Sequence, residues 1–409
     1  MSVLTRRQAV AVFLAFAFAY FFSALIRAIT ATLSPTLTVE FRLDAAELGL
    51  LAGGYYLGFS ATQLPLGTWL DRHGPKKVIL GFLLVAVAGC GAFALATGFA
   101  GLLAARVLCG IGVSACLMAP LTGYRRWLSP TAQLRANSWM LMTGSFGMLA
   151  STLPVQWLMP LIGWRGVFWG LAVLTAVSML VLARLVPAWD ERDPAQPAAP
   201  AASYREVIRH PYFRRMTPIG FFSYGGMIAV QTLWAGPWMV RVAGYDPVAS
   251  AGGLFLLNAC MLVAFWIWGM LSPWLQRHGY TTDLLIARGL PLSFVAMAAL
   301  IVAGPAAGAG TLALFCVAST FVSLAQPTVG MVFPAHQAGR ALSAYNLVIF
   351  FGVFVVQWGI GLAIDAFRAA GLAEVDAFRA AFGVFLATSL VSYGYFMAGS
   401  RHNPMEHSE

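Results

Sequence analysis

The stretch Trp69-Leu-Asp-Arg-His-Gly74 returns as Trp274-Leu-Gln-Arg-His-Gly279, 205 residues later in a chain of 409. Shorter matches recur at the same distance: Arg135-Ala-Asn-Ser138 with Arg340-Ala-Leu-Ser343, and Gly147 with Gly352. The second half of the chain therefore repeats the first, and each copy of the charged segment is set between long apolar stretches. Repeats of this kind are typical of membrane transporters built from two related halves.

The composition excludes an ordinary water-soluble domain. Hydrophobic residues make up 60% of the chain and charged residues 10%, whereas soluble domains carry about 25% charged residues. The net charge of +10 could indicate nucleic-acid binding, but membrane topology explains it better. The five cysteines lie in apolar stretches without a CxxC or Cys/His cluster, so we expect no disulfide, metal or cofactor site. The apolar run after Arg6 and Arg7 continues past Tyr20 without a cleavage site, which predicts a retained first span.

Twelve stretches are long enough to cross the membrane as helices, which takes about 20 apolar residues each. They are 9–33, 46–69, 77–98, 101–123, 136–158, 165–186, 214–240, 249–274, 284–304, 308–332, 341–364 and 377–399. Residues 187–213 are polar and rich in proline, as a linker would be. The sequence predicts an all-α integral membrane protein of two pseudo-symmetric six-helix bundles, 1–186 and 214–409, joined by this cytoplasmic linker.

The distribution of Lys and Arg predicts the orientation. With the N-terminus inside, 17 of them fall in inner loops and tails and 5 in outer loops. Positive loops stay on the cytoplasmic side, so both termini, the linker and both copies of the repeated hexapeptide are expected in the cytoplasm. The inner (plasma) membrane is the expected location, and the protein is expected to be a monomer.

Several motifs resemble those of the major facilitator superfamily across essentially the whole chain. The cytoplasmic loop signature Gly-x-Leu-Ala-Asp-Arg-x-Gly followed by basic residues is matched at Gly67, Asp71, Arg72, Gly74, Lys76 and Lys77, while Trp69 and Pro75 depart from it. Arg106-Val-Leu-Cys-Gly-Ile-Gly112 is similar to the Arg-x-x-x-Gly-x-Gly pattern of the fourth helix. Gly163-Trp-Arg165 is similar to the start of the sixth, with Arg379 as its counterpart in the second half.

The resemblance implies a secondary transporter with alternating access, not an enzyme, and a latch between its halves in the loop signature. The other interpretation of that loop is a solvated basic segment that only fixes topology. The residues expected to take part in gating or coupling are Gly67, Asp71, Arg72, Gly74, Lys76, Lys77, Arg106, Arg135 and Arg340. The second copy has Gln276 in place of Asp71 and lacks the lysines, so we expect it to be mostly structural.

Arg27 is the leading candidate for substrate binding. Away from the span ends, only Arg27, Arg106 and Arg288 carry charge within predicted spans, and a charge in the membrane is a functional-site hypothesis by default. Residues 20, 23, 27, 30 and 34 are polar and share one helix face. A guanidinium without an acidic partner suits a carboxylate, phosphate or sulfonate; the alternative is an arginine bonded to backbone carbonyls. Arg288 is expected to extend towards the inner surface.

Further polar residues of the spans could complete the site. The set predicted to contact substrate with Arg27 is Tyr20, Ser23, Tyr55, Tyr56, Gln231, Asn258, Tyr345 and Asn346. Taken singly, each is more often an interhelical hydrogen bonder than a ligand contact. At the repeat distance Arg27 corresponds to Thr232, which predicts that the charge is present in one half only.

The coupling mechanism and substrate stay open at this point. No Asp or Glu falls near the middle of a predicted span, so a proton could travel on the substrate or through Asp71, and exchange for a counter-anion or facilitated diffusion are also possible. The leading hypothesis is transport of a small organic anion, as in an organic-anion-transporting subgroup. A transporter of a neutral or amphiphilic compound, such as a siderophore or drug, is the first alternative. A membrane sensor that transports nothing is the second.

Overall fold

A computed structural model describes residues 4–188 and 204–400, and all regular structure in these two segments is helical. Most of the linker and the C-terminal tail lie outside the described residues. The α-helices are α1 Arg6–Phe41, α2 Ala45–Ala61, α3 Gln63–Leu95, α4 Phe99–Val113, α5 Ala115–Trp127, α6 Pro130–Ala150, α7 Leu153–Leu185, α8 Tyr204–Arg209, α9 Pro211–Pro218, α10 Gly225–Ala229, α11 Ala235–Pro237, α12 Pro247–Arg277, α13 Thr282–Gly289, α14 Pro291–Ala303, α15 Ala309–Ser319, α16 Ala325–Val332, α17 Ala335–Ala369 and α18 Glu374–Ser400.

Two of the long helices contain a break at a glycine. Gly74 in α3 has φ 75° and Gly163 in α7 has φ 67°, a conformation that residues with a Cβ rarely adopt. Each break divides its helix into two segments. Gly279, the repeat of Gly74, also has a positive φ of 79°, so the turn of the repeated hexapeptide has the same handedness in both halves.

Divided at these breaks, the described residues form twelve helical passes. Within the described part of the chain, nine helices are long and apolar enough to span a membrane as they stand. We number the passes in chain order. In the first half, pass 1 is α1, pass 2 is α2 and the part of α3 before Gly74, pass 3 is the rest of α3, pass 4 is α4–α5, pass 5 is α6 and the part of α7 before Gly163, and pass 6 is the rest of α7. In the second half, pass 7 is α9–α11, pass 8 is α12, pass 9 is α13–α14, pass 10 is α15–α16, pass 11 is α17 and pass 12 is α18. Pass 7 begins at Pro211, inside the predicted linker.

Pass 7 has three π-helical segments, which are Ile219–Tyr224, Val230–Trp234 and Trp238–Val242. A π-helical turn adds a residue to the ordinary α-helical repeat and is often found at functional sites. The middle segment carries Gln231 and Thr232, two residues that face other passes, as described below.

Matching contacts show how the two halves correspond. Arg165 donates to the carbonyl of Ala96 (3.3 Å), and Arg379 donates to the carbonyl of Ile301 (2.7 Å), the residue 205 positions after Ala96. Arg379 is therefore the counterpart of Arg165, as the sequence predicts. Both arginines tie the start of the last pass of their half to the end of the third.

The repeat distance is shorter in the first pass of each half. Phe21-Phe-Ser23 recurs as Phe221-Phe-Ser223, 200 residues later. The structure supports this alignment, because Gly147 packs against the Phe21 carbonyl and its repeat Gly352 packs against the Phe221 carbonyl. By this distance Arg27 corresponds to Met227, so the predicted match with Thr232 was wrong, although the charge is still absent from the second half.

The halves meet mainly where pass 2 lies along pass 11 and pass 1 along pass 7. Close backbone approaches mark this interface: a Cβ on Gly361 would lie 2.2 Å from the Ala45 carbonyl oxygen, and one on Gly236 would lie 2.7 Å from that of Ala31. Small residues let helices approach in lipid, where packing drives helix association. Both approaches lie at the side of the protein opposite the loop that carries Asp71, so the interface is closely packed on that side, which is the outer side in the predicted orientation.

Candidate functional site

Arg27 lies in the middle of pass 1 and points towards aromatic residues. Its Nε atom is buried without a hydrogen-bond partner, and its Cζ lies 5.8 Å from the centre of the Phe59 ring, a distance typical of a cation–π contact. The groups that act electrostatically on it are the hydroxyls of Tyr20, Tyr55 and Tyr56. None of them is a carboxylate, so within the described residues the guanidinium lacks a negative partner.

Arg106 of pass 4 brings a second guanidinium to the same place, and this one is buried completely. It donates through Nη1 to the carbonyl of Ile26 (2.9 Å) and lies 5.2 Å from the centre of the Tyr55 ring. Its Nε and Nη2 atoms have no hydrogen-bond partner. This bond joins Arg106 to the neighbour of Arg27 on pass 1, and Tyr55 has one guanidinium near its hydroxyl and another over its ring.

The predicted polar stripe of pass 1 is buried inside the protein. Tyr20, Ser23, Thr30 and Ser34 are each at most 5% exposed. The Ser23 hydroxyl has no partner, whereas the Ser34 hydroxyl donates to the carbonyl of Ala31 (2.8 Å). The stripe therefore faces neighbouring passes rather than lipid. Arg27 lies within it, between Ser23 and Thr30.

A hydrogen-bond network links the halves beside Arg27. The Tyr56 hydroxyl donates to Thr232 Oγ1 of pass 7 (3.0 Å), and Gln357 Nε2 of pass 11 donates to the same oxygen (3.0 Å). Trp234 Nε1 donates to the Gln357 carbonyl (3.0 Å). Gln357 was outside the predicted site, and the sequence marked Thr232 only as one of several polar residues in its span. The repeat pattern did not indicate them, because their partners are brought together only by the packing of the two halves.

The remaining predicted substrate contacts are spread over the second half. Gln231 donates to Asn258 (3.0 Å), and Gln326 donates to Asn346 (2.5 Å), so each amide already has a partner inside its own half. The Tyr345 hydroxyl donates to the carbonyl of Met216 (3.2 Å) in a hydrophobic cluster with Phe213 and Phe396. We therefore leave Tyr345 out of the site centred on Arg27.

The loop between passes 2 and 3 brings Asp71 near both halves. Its carboxylate interacts electrostatically with Arg125 of pass 4 and with Arg340 of pass 11. Arg340 Nη1 is buried without a hydrogen-bond partner. Gly67 faces Ser343, with 3.9 Å between the serine Oγ and the position of an added Cβ. Two parts of the predicted latch, Asp71 and Arg340, are thus in electrostatic range across the interface.

Most of the other predicted gating residues of the loops have exposed side chains. Arg72, Lys77 and Arg135 are exposed, and Lys76 is half-buried. The side chain of Gln276 lies outside the described residues, so the predicted asymmetry of the latch stays a prediction. Arg288 is exposed.

We expect Asp71→Asn and Arg340→Ala each to lower the maximal transport rate by a few-fold and to leave KM nearly unchanged. Each change destabilises one conformation of the transporter and leaves the contacts of the substrate site in place. The measurement is initial-rate transport in proteoliposomes for both single variants and the double variant. If the two charges act on each other, the double variant is no slower than the slower single one. Additive losses would show that Asp71 and Arg340 act separately.

A family model described as Major Facilitator Superfamily matches residues 16–357. The chain belongs to the major facilitator superfamily. Within this family it is 26% identical over 309 residues to the probable sulfoacetate transporter SauU of Cupriavidus necator, covering 68% of this chain and 67% of the relative.

A second relative and a solved structure complete the comparison. The probable L-galactonate transporter of Escherichia coli is 24% identical over 279 residues, which are 62% of this chain and 57% of that protein. A bacterial homologue of the human lysosomal transporter Spinster, in an inward-facing and unoccupied conformation, superposes with a TM-score of 0.79 at 17% identity, over 97% of this chain and 98% of the other. This likeness shows the fold, and the family makes the protein a membrane transporter rather than an enzyme.

Proposed function

We propose that this protein carries a small organic anion across the bacterial inner membrane by alternating access, with Arg27 binding the acid group of the substrate. The observation that supports this proposal is that two guanidiniums, of the partly buried Arg27 and the fully buried Arg106, lie beside Tyr55 with no carboxylate partner among the described residues. A buried charge is costly unless it is paired, and an anionic substrate would supply the missing partner. We further propose that both termini face the cytoplasm and that the protein works as a monomer.

The hydrogen-bonding atoms at the site favour an acid group over a neutral polar group. Arg27 Nε and Arg106 Nε and Nη2 are all donors without a partner, and an arginine has no acceptor atom. The Tyr55 hydroxyl, which also lacks a partner, can donate as well. A carboxylate or sulfonate has only acceptor atoms and so complements this set, whereas a cationic drug would meet like charge.

The relatives agree with this chemistry. One is a probable transporter of sulfoacetate and the other of L-galactonate, and both compounds are small organic anions. The experiment is uptake by the purified protein in proteoliposomes of labelled sulfoacetate, L-galactonate and other small carboxylates, each beside a neutral amide or ester analogue. We expect at least one anion to enter and its neutral analogue to be excluded. Entry of neutral compounds only would overturn the proposal.

The same vesicles can test the coupling. In the described residues no Asp or Glu acts on Arg27, so we propose that a proton, if one is carried, is not held beside the substrate. Exchange is tested by loading vesicles with unlabelled anion. Faster uptake into loaded than into empty vesicles would favour a counter-anion, and stimulation by an inward proton gradient would favour symport.

A further inference from the structure

The outer end of pass 2 takes two of its hydrogen-bond acceptors from the other half of the protein. A helix starts with four N–H groups that have no partner within it. Here Asp44 N is bonded to Glu47 Oε2 (3.3 Å) and Glu47 N to Asp44 Oδ1 (2.7 Å). The other two, Ala45 N and Ala46 N, donate to the Asp365 carboxylate of pass 11 at 3.3 and 2.7 Å.

The corresponding helix of the second half does not depend on such a contact. Pass 8 begins at Pro247, and its first free N–H groups, those of Val248 and Ala249, donate to Asp246 directly before it (both 2.8 Å). Its cap is therefore local and stays in place however the halves move. The cap of pass 2 is complete only while passes 2 and 11 are together at their outer ends.

The surroundings hold Asp365 in this position. Gly361, one turn earlier on pass 11, packs against the carbonyl of Ala45 with no room for a Cβ. Arg368 attracts the Asp365 carboxylate and Asp44 repels it. A carboxylate at a helix N-terminus also interacts favourably with the helix dipole, so the contact combines two hydrogen bonds with a charge.

We propose that Asp365 is the outer latch of the transporter, a positioning residue that favours the conformation closed to the outside. When the outer ends of passes 2 and 11 separate, Ala45 and Ala46 lose their acceptors. Loss of a helix cap of this kind changes the equilibrium constant between the capped and uncapped conformations by a factor of about 2 to 30. Because a ligand or residue shifts an equilibrium only by its differential interaction with the two states, the loss of Asp365 raises the share of the outward-open state by such a factor.

The test uses the reactivity of a cysteine at Ser34, which is buried where pass 1 meets pass 7 on the outer side, beside Gly236. In the test protein Ser34 is replaced by cysteine and the five natural cysteines are replaced by alanine. The protein is studied in right-side-out membrane vesicles. A charged maleimide that does not cross the membrane is added outside. We expect Asp365→Ala to raise the labelling rate at least about threefold.

Asp376→Ala is the matched control, because Asp376 is also an outer-side carboxylate of the second half but pairs with Arg379 on its own helix (3.0 Å). Its labelling rate is expected to stay within twofold of the parent. If Asp365→Ala does not accumulate in the membrane, Asp365→Asn, which keeps the shape and removes the charge, takes its place. A labelling rate equal to the parent for the Asp365 variants, or an equal rise in Asp376→Ala, overturns the latch.

This inference rests on the alternating access proposed above but not on the substrate. The labelling needs no transported compound, so it can succeed when every anion fails in the uptake assay. Conversely, anion uptake with unchanged labelling in Asp365→Ala would leave the anion proposal standing and remove the latch.

Discussion

Replacing Arg27 with alanine is expected to lower kcat/KM for the transported anion by about 100-fold or more. The change removes the positive partner of the acid group, and loss of one member of a buried, hydrogen-bonded charge pair costs about 2–5 kcal/mol. The kcat/KM of Arg27→Lys should lie between those of the parent protein and Arg27→Ala, with a loss of about tenfold. Lysine keeps the charge but lacks the planar fork that binds a carboxylate or sulfonate at two points. The measurement is the initial rate of uptake against substrate concentration in proteoliposomes.

The chain offers a matched control for this change. Arg288 also lies within a predicted span, but it is exposed, so Arg288→Ala removes the same charge away from the site and should leave kcat/KM within about twofold. Melting temperatures of all three variants in detergent show whether a loss of transport reflects unfolding. Normal uptake by a folded Arg27→Ala protein would contradict the assignment of the substrate site.

Gly110→Ala is expected to have the largest effect on stability. A Cβ at Gly110 would lie 1.9 Å from the carbonyl oxygen of Tyr55 and 3.0 Å from its Cα. These are backbone atoms, so passes 2 and 4 would have to move apart. Forcing extra atoms into a packed core costs typically 1–3 kcal/mol and sometimes more, and we expect a cost at or above that range here.

The same movement would disturb the substrate site, because Tyr55 lies between Arg27 and Arg106. We therefore expect Gly110→Ala to lower the melting temperature in detergent by several degrees and to reduce transport in whatever protein remains folded. Gly170→Ala in pass 6 is the control, since no atom lies within 4 Å of a Cβ there. An unchanged melting temperature for Gly110→Ala would show that the two passes are not packed as described.

Much of the architecture could be predicted from the sequence because it depends on local or repeated signals. Apolar length predicts the spans, and the duplicated hexapeptide predicts two like halves. The glycines of that hexapeptide also carry information, since Gly74 and Gly279 both take the positive φ that their turns need. The single repeat distance was misleading for pass 1, because the second half has additional residues between its first pass and the hexapeptide.

The site could be predicted only in part. Arg27 stood out because an arginine in an apolar span is rare and costly. The hydrogen bonds that join the halves beside it could not be predicted in the same way, since Tyr56, Thr232 and Gln357 come together only when the two halves pack. Asp365 was missed for a related reason. It lies at the end of an apolar stretch, where an acidic residue is unremarkable, and its partners are backbone N–H groups about 320 positions away.

The most direct test of the central claim, that Arg27 binds the acid group of the substrate, is equilibrium binding of the radiolabelled anion found by the uptake screen to purified protein. We expect saturable binding to the parent and to Arg288→Ala, competition by the unlabelled anion but not by its neutral analogue, and loss of binding in folded Arg27→Ala. Equal affinity of the parent and Arg27→Ala for the anion would show that Arg27 does not bind the acid group.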